Sequence, residues 1–145
     1  MQFVVTLLLG SSMILVNLGI QVWAVSWVLK VYETRDASPA AAVSMKRMAV
    51  ALSVMLFVLL LGHVLQFASW ALLFVLLGEF AEFSTAFYHS TVNFTSLGYG
   101  DIVMSQRWRL LGAMEAANGV LMFGLTAGLV LSVMNRMLVT RQSNH

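Results

Sequence analysis

Residues 95–101 read Thr95-Ser96-Leu97-Gly98-Tyr99-Gly100-Asp101, and on either side of them lie long apolar stretches. Glycines at 98 and 100 admit backbone angles that are costly for residues with a Cβ, so successive carbonyl oxygens can be turned to one side. Inside a membrane such oxygens can replace the water shell of a cation. Non-helical backbone is tolerated at that depth only where it is buried in protein or lines a water-filled path. The seven residues therefore set the terms for reading the rest of the chain.

The setting is a membrane. Of 145 residues, 60% are hydrophobic and 10% charged, with mean hydropathy +0.88. Soluble domains carry about 25% charged residues. No Lys or Arg occurs before Lys30, between Arg47 and Arg107, or between Arg109 and Arg136. Spans are predicted near 2–29, 48–78 and 110–138, each longer than the roughly 20 residues that cross a bilayer. The apolar N-terminal run lacks a basic start and exceeds the length of a signal-peptide core, so it reads as a retained helix. The absence of cysteine excludes disulfides and thiolate chemistry. The net charge of +2 does not point to nucleic acid, because the basic residues flank the spans.

The segment from Lys30 to Arg47 carries Lys30, Arg35, Lys46 and Arg47 against Glu33 and Asp36, and Arg136 and Arg141 follow the last span. The other side offers Arg107 and Arg109 beside Glu79, Glu82 and Asp101. Positive-inside counting places the 30–47 loop and the C-terminus in the cytoplasm and the N-terminus outside, in the plasma (cell inner) membrane. Between the second and third spans, Ser84 is the expected N-cap of a short re-entrant helix through Phe94. Its C-terminal end would turn a partial negative charge toward the membrane centre. One chain supplies too few carbonyls to encircle an ion, so four chains around an axis are expected.

The run at 95–101 resembles the selectivity filter of the tetrameric potassium channels, Thr-Val-Gly-Tyr-Gly-Asp, with Ser96 in the Thr place and Leu97 in the Val place. Ala86 to Thr95 resembles that family's pore helix, and Tyr88 and His89 stand where many members carry a Trp pair. Gly119-Val120-Leu121-Met122-Phe123-Gly124-Leu125 resembles the inner-helix segment that holds a gating-hinge glycine. The resemblance covers about residues 48–138. It implies an all-α, homotetrameric membrane protein with three transmembrane helices per chain, a re-entrant pore helix and a filter loop. The implied layout is an N-terminal helix at 1–30, a cytoplasmic loop at 31–47, a pore domain at 48–138 and a tail at 139–145. Within the pore domain lie an outer helix (48–78), pore helix (84–94), filter (95–101) and inner helix (108–138).

The implied activity is passive, selective conduction of K+, with no enzyme site and no cofactor beyond the permeant ion. The ion would bind at Ser96, Leu97, Gly98 and Tyr99, within a filter running from Thr95 to Asp101. Tyr88, His89, Val92, Asn93 and Glu115 would support the filter, and Asn118, Gly119 and Phe123 would face the cavity or gate. Val92 stands where some bacterial members carry a Glu, which leaves Asp101 without that partner; other members also have Val there. Two other outcomes are open: a weakly selective cation channel, or a non-conducting subunit that regulates another channel or transporter. An unlinked regulatory subunit is a possible partner.

Several polar residues inside the spans have two readings. Glu115 either braces the pore helix, through Tyr88, His89 or Asn93, or pairs with Arg107 or Arg109. Asn118 either faces a water-filled cavity or bonds between helices. His63 and Gln66 form a helix-interface pair or a proton sensor, and His89 is structural first. Asn17 and Gln21 would fasten the first helix to the pore domain. Gly124 and Gly128 read as a packing pair rather than a gate. Trp23, Trp27 and Tyr32 look like an interfacial belt. No span carries Arg at every third position, so no voltage-sensing helix is expected.

Overall fold

The computed structural model describes residues 1–36 and 45–142. Four helices carry the fold: α1 (Gln2–Asp36), α2 (Met45–Leu76), α3 (Phe83–Phe94) and α4 (Arg109–Gln142). Three of them, over Gln2–Lys30, Met48–Leu76 and Arg109–Val139, are long and apolar enough to cross a membrane. Residues 37–44 of the expected cytoplasmic loop fall outside the described residues, as does the end of the tail.

Each boundary has a local cause. Gly78, at φ +75°, ends α2. Its N–H donates to the Val75 carbonyl and that of Glu79 to the Phe74 carbonyl, the paired bonds of a left-handed helix C-terminus. α3 begins one residue earlier than expected. Glu82, extended at φ −109°, is its N-cap and makes no side-chain capping bond, so Ser84 lies inside the first turn. The residue type at 84 suited a cap, but the chain turns in from the extended segment before it. α4 is entered through a turn in which Trp108 and Arg109 donate their N–H groups to the Ser105 carbonyl.

Contacts along the helices set their directions. Gly10 of α1 abuts Met114 of α4, and Gln21 reaches Thr126 of α4, so α1 and α4 run parallel. Asn17 bonds Ser69, and Ala24 meets Gly62, so α2 runs the other way. α1 thus packs along both α2 and α4. α3 enters beside the Phe74 end of α2 and stops where Phe94 meets Phe67, His63 and Phe123, about halfway along both spans. It is a re-entrant helix.

Two apolar clusters flank a polar layer. One holds Phe67, Trp70, Phe74, Ala86, Phe94, Trp108, Leu111 and Met122. The other holds Ala24, Val28, Met55, Leu59, Val133 and Met137. Between them, the Gln66 side-chain amide donates to the Gln21 side-chain carbonyl and to the Asn17 backbone carbonyl. Gln66 Oε1 lies 3.1 Å from His63 Nδ1, and His63 Nε2 lies 3.1 Å from the Thr126 hydroxyl. The Gln21 amide donates to that hydroxyl. Counting protons closes a ring that runs one way: Gln21 to Thr126, Thr126 to His63, His63 Nδ1–H to Gln66, and Gln66 back to Gln21. It requires a neutral His63. Lipid offers no hydrophobic drive for helices to associate, so close packing and such bonds hold α1 in place. Leu15, Leu60, Leu65 and Leu72 are exposed, as residues that meet lipid or other chains must be.

Candidate functional site: the loop after the re-entrant helix

Residues 95–101 are all exposed in the single chain. Within them φ is positive at every second position: Ser96 at 58°, Gly98 at 57° and Gly100 at 73°, and Ser96 is the one non-glycine residue with positive φ among those described. Leu97 and Tyr99, between them, stay in the ordinary region. Such alternation turns successive peptide groups in register, with carbonyls along one side of the strand and N–H groups along the other. Glycine carries the left-handed positions at no steric cost at 98 and 100, and serine bears that cost at 96.

The C-terminus of α3 anchors this segment. The Val92 carbonyl accepts the N–H of Leu97 (3.0 Å) and of Gly98 (3.4 Å), and the Asn93 carbonyl accepts that of Ser96. The Thr95 hydroxyl turns back onto the Thr91 carbonyl at 2.7 Å. α3 ends at mid-depth, so its carbonyl end faces the membrane centre and favours a cation there.

The outer end of the loop is held by the side chains at 88 and 89. The Tyr88 hydroxyl donates to Asp101 Oδ2 at 2.7 Å. That bond supplies the partner Asp101 needed and holds its carboxyl below the usual range, while the Tyr88 phenol is pushed up. The Asn93 amide donates to His89 Nε2 at 2.9 Å, so the ring proton sits on Nδ1 and is donated to the Ile102 carbonyl at 3.0 Å. His89 packs against Phe74 and Phe80. This burial lowers its pKa, against smaller opposing effects of the bond to the Ile102 carbonyl and of the charges on Asp101 and Glu79. Farther out, Glu79 accepts two bonds from Ser105, one from its N–H at 2.7 Å and one from its hydroxyl at 2.6 Å. This clamp ties the α2–α3 connection to the start of α4. Neither Glu79 nor Ser105 stood out in the sequence, because the bond spans 26 positions and both residues are ordinary loop types.

The residues behind the loop are arranged differently from the sequence expectation. Glu115 is fully buried and bonds the Ser90 hydroxyl, and of the three expected partners it is the Asn93 side chain that also acts on its carboxyl. Arg107 lies over the Trp108 ring, 5.0 Å from its centre, rather than pairing with Glu115. Asn118 is fully buried within the single chain, and its side-chain atoms make no hydrogen bond, so it does not open onto a cavity. It follows Glu115 by one turn on the inward face of α4, and that placement decides its burial. Phe123 is partly exposed and packs on His63 and Phe94. Gly119 faces the end of α3: a Cβ there would stand 1.8 Å from the Phe94 carbonyl oxygen. Gly124 and Gly128 have open space at the same position, so within one chain they pack against nothing.

A re-entrant helix, a loop of alternating backbone hand and two bracketing spans define a pore-loop membrane protein. The family model described as ion channel matches residues 50–136, which hold most of α2, all of α3 and the loop, and nearly all the membrane-spanning part of α4. The chain belongs to this ion channel family, a two-helix pore-loop module, with α1 as a further helix outside the matched segment. No curated protein matches, and no solved structure matches.

Proposed function

We propose that the protein is a potassium-selective channel that conducts K+ passively through a filter built by four copies of residues 95–101. The observation that carries this reading is the alternation of backbone hand at Ser96, Gly98 and Gly100 in a loop that the subunit itself leaves exposed. Four such loops around an axis would stack rings of carbonyls from Ser96, Leu97, Gly98 and Tyr99, each ring replacing water around a dehydrated K+. Tyr99, 67% exposed in one chain, would then pack against the neighbouring subunit behind the filter. The filter opens outward, with the N-terminus outside the cell and the C-terminus in the cytoplasm of a plasma-membrane protein.

The test is ion flux in liposomes holding the full-length chain, with K+ and Na+ compared, beside Gly98→Ala. At φ +57° an added Cβ costs about 1–2 kcal/mol in each of four subunits, so the variant is expected to lose K+ selectivity or flux. Equal, selective flux from both chains would refute the filter assignment. Equal passage of Na+ and K+ by the natural chain would leave a weakly selective cation channel, and a non-conducting chain a regulatory subunit.

A further inference from the structure

Ser90 lies in the middle of α3, fully buried, and its single hydroxyl contacts two oxygens. One is the Phe67 backbone carbonyl of α2, at 2.9 Å. The other is Oε1 of Glu115 on α4. A carbonyl has no proton to give, so the Ser90 proton satisfies one of these contacts and the other needs a second proton. Only Glu115 can provide it. The surroundings agree, since Glu115 is fully enclosed, its Oε2 makes no hydrogen bond, the side chains that act on its carboxyl, Ser90 and Asn93, are neutral, and Arg107 is turned onto Trp108. An ionised carboxylate in that place would be a buried charge without a counter-ion, which proteins avoid by keeping the group neutral.

We propose that Glu115 stands protonated and acts as a positioning residue: its O–H donates to Ser90, Ser90 donates to the Phe67 carbonyl, and the chain of bonds sets the depth of α3 between α4 and α2. The consequence for the filter is direct. Ser90 precedes by two residues the Val92 carbonyl that accepts the N–H groups of Leu97 and Gly98. A shift of α3 is therefore passed to the first carbonyl rings. Neither α2 nor α4 alone can set that depth, because α3 is too short to span the membrane and meets both along one side. The inference rests on the channel reading for its effect on conduction, but not for the protonation itself.

Two measurements on the full-length protein separate these claims. Infrared difference spectra of the natural chain minus Glu115→Gln at neutral pH are expected to show a carboxylic-acid C=O stretch, which moves when Ser90→Ala removes its acceptor. Carboxylate bands alone would overturn the proposal, whether or not the protein conducts. In liposomes, Glu115→Gln keeps a donor and is expected to retain the natural K+/Na+ ratio. Glu115→Leu and Ser90→Ala are each expected to lower it about tenfold, the worth of one buried hydrogen bond. The double variant is expected to be no worse than either single change, because both break the same chain of bonds. Natural selectivity in Ser90→Ala, or additive losses in the double variant, would overturn the positioning role. A natural chain that passes no K+, with the acid band present, would sink the channel reading and leave the protonated Glu115 standing.

Discussion

Replacing Gly119 by alanine tests how closely α4 and the re-entrant helix are joined. The added Cβ would lie 1.8 Å from the Phe94 carbonyl oxygen, 2.7 Å from its carbonyl carbon and 2.9 Å from its ring, whereas real Cβ contacts essentially never fall under 3.0 Å. Backbone, not a flexible side-chain tip, occupies the space. At least 1.2 Å of separation must therefore open between α4 and the last turn of α3, the turn that anchors the 95–101 loop. Overpacking of well-filled interiors costs about 1–3 kcal/mol where side chains can give way, and a backbone obstacle puts this substitution at the upper end. The expected loss, about 3 kcal/mol per subunit, changes the folded-to-unfolded ratio by more than a hundredfold. Gly124→Ala is the control: nothing lies within 4 Å of its Cβ, and alanine is the better helix former by about 1 kcal/mol. Unfolding of both variants in mixed detergent, with ion flux in liposomes, reads the difference. If Gly119 served only as a hinge, its alanine variant would fold as well as the natural chain and alter only gating. Stability of Gly119→Ala equal to that of Gly124→Ala would refute the close-contact argument.

Three further outcomes are expected. His89 is neutral in the folded protein with a pKa lowered by burial, so its contribution to stability is present above the ordinary histidine value of about 6.5 and is lost as pH falls through the lower folded value. Acidification protonates Nε2, which then no longer accepts from the Asn93 amide, and should loosen that side of the support and reduce flux; His89→Trp, which keeps a ring N–H donor but has no titrating nitrogen, should remove that acid dependence, and an unchanged pH profile in the natural chain would count against the Asn93 bond. Thr126→Val leaves the Gln21 amide and His63 Nε2 without their partner and should cost about 1–2 kcal/mol, recovered by Thr126→Ser; unfolding in mixed detergent reads it. Glu79→Gln should loosen the Ser105 clamp and speed tryptic cleavage after Arg107, and an unaltered cleavage rate would show the clamp to be idle.

The spans, the re-entrant helix and the 95–101 loop were all legible from charge spacing and glycine placement, because bilayer thickness and backbone sterics act on short stretches of chain. Asn17, Gln21, His63 and Gln66 could be named as intramembrane polar residues for the same reason. That Thr126 closes the last three into a ring could not, since a threonine in a helix usually satisfies itself and its partners lie 63 and 105 positions away. Glu115 drew notice as a lone acid in an apolar run, but its partner did not, because a buried serine carries no pattern of its own. Asn118 was misread for a related reason: its neighbours in sequence do not reveal which face of α4 turns inward.

The membrane setting, the three spans and a loop whose glycines can turn carbonyls one way follow from local composition and from which residues accept positive φ. The packing of the helices was needed to show that Gly119 makes room for the Phe94 carbonyl, that Tyr88 holds Asp101, and that Ser90 stands between Glu115 and Phe67. Those are contacts between helices far apart in the chain. Their chemistry depends on distance and on the number of protons available, and neither is written in any single segment.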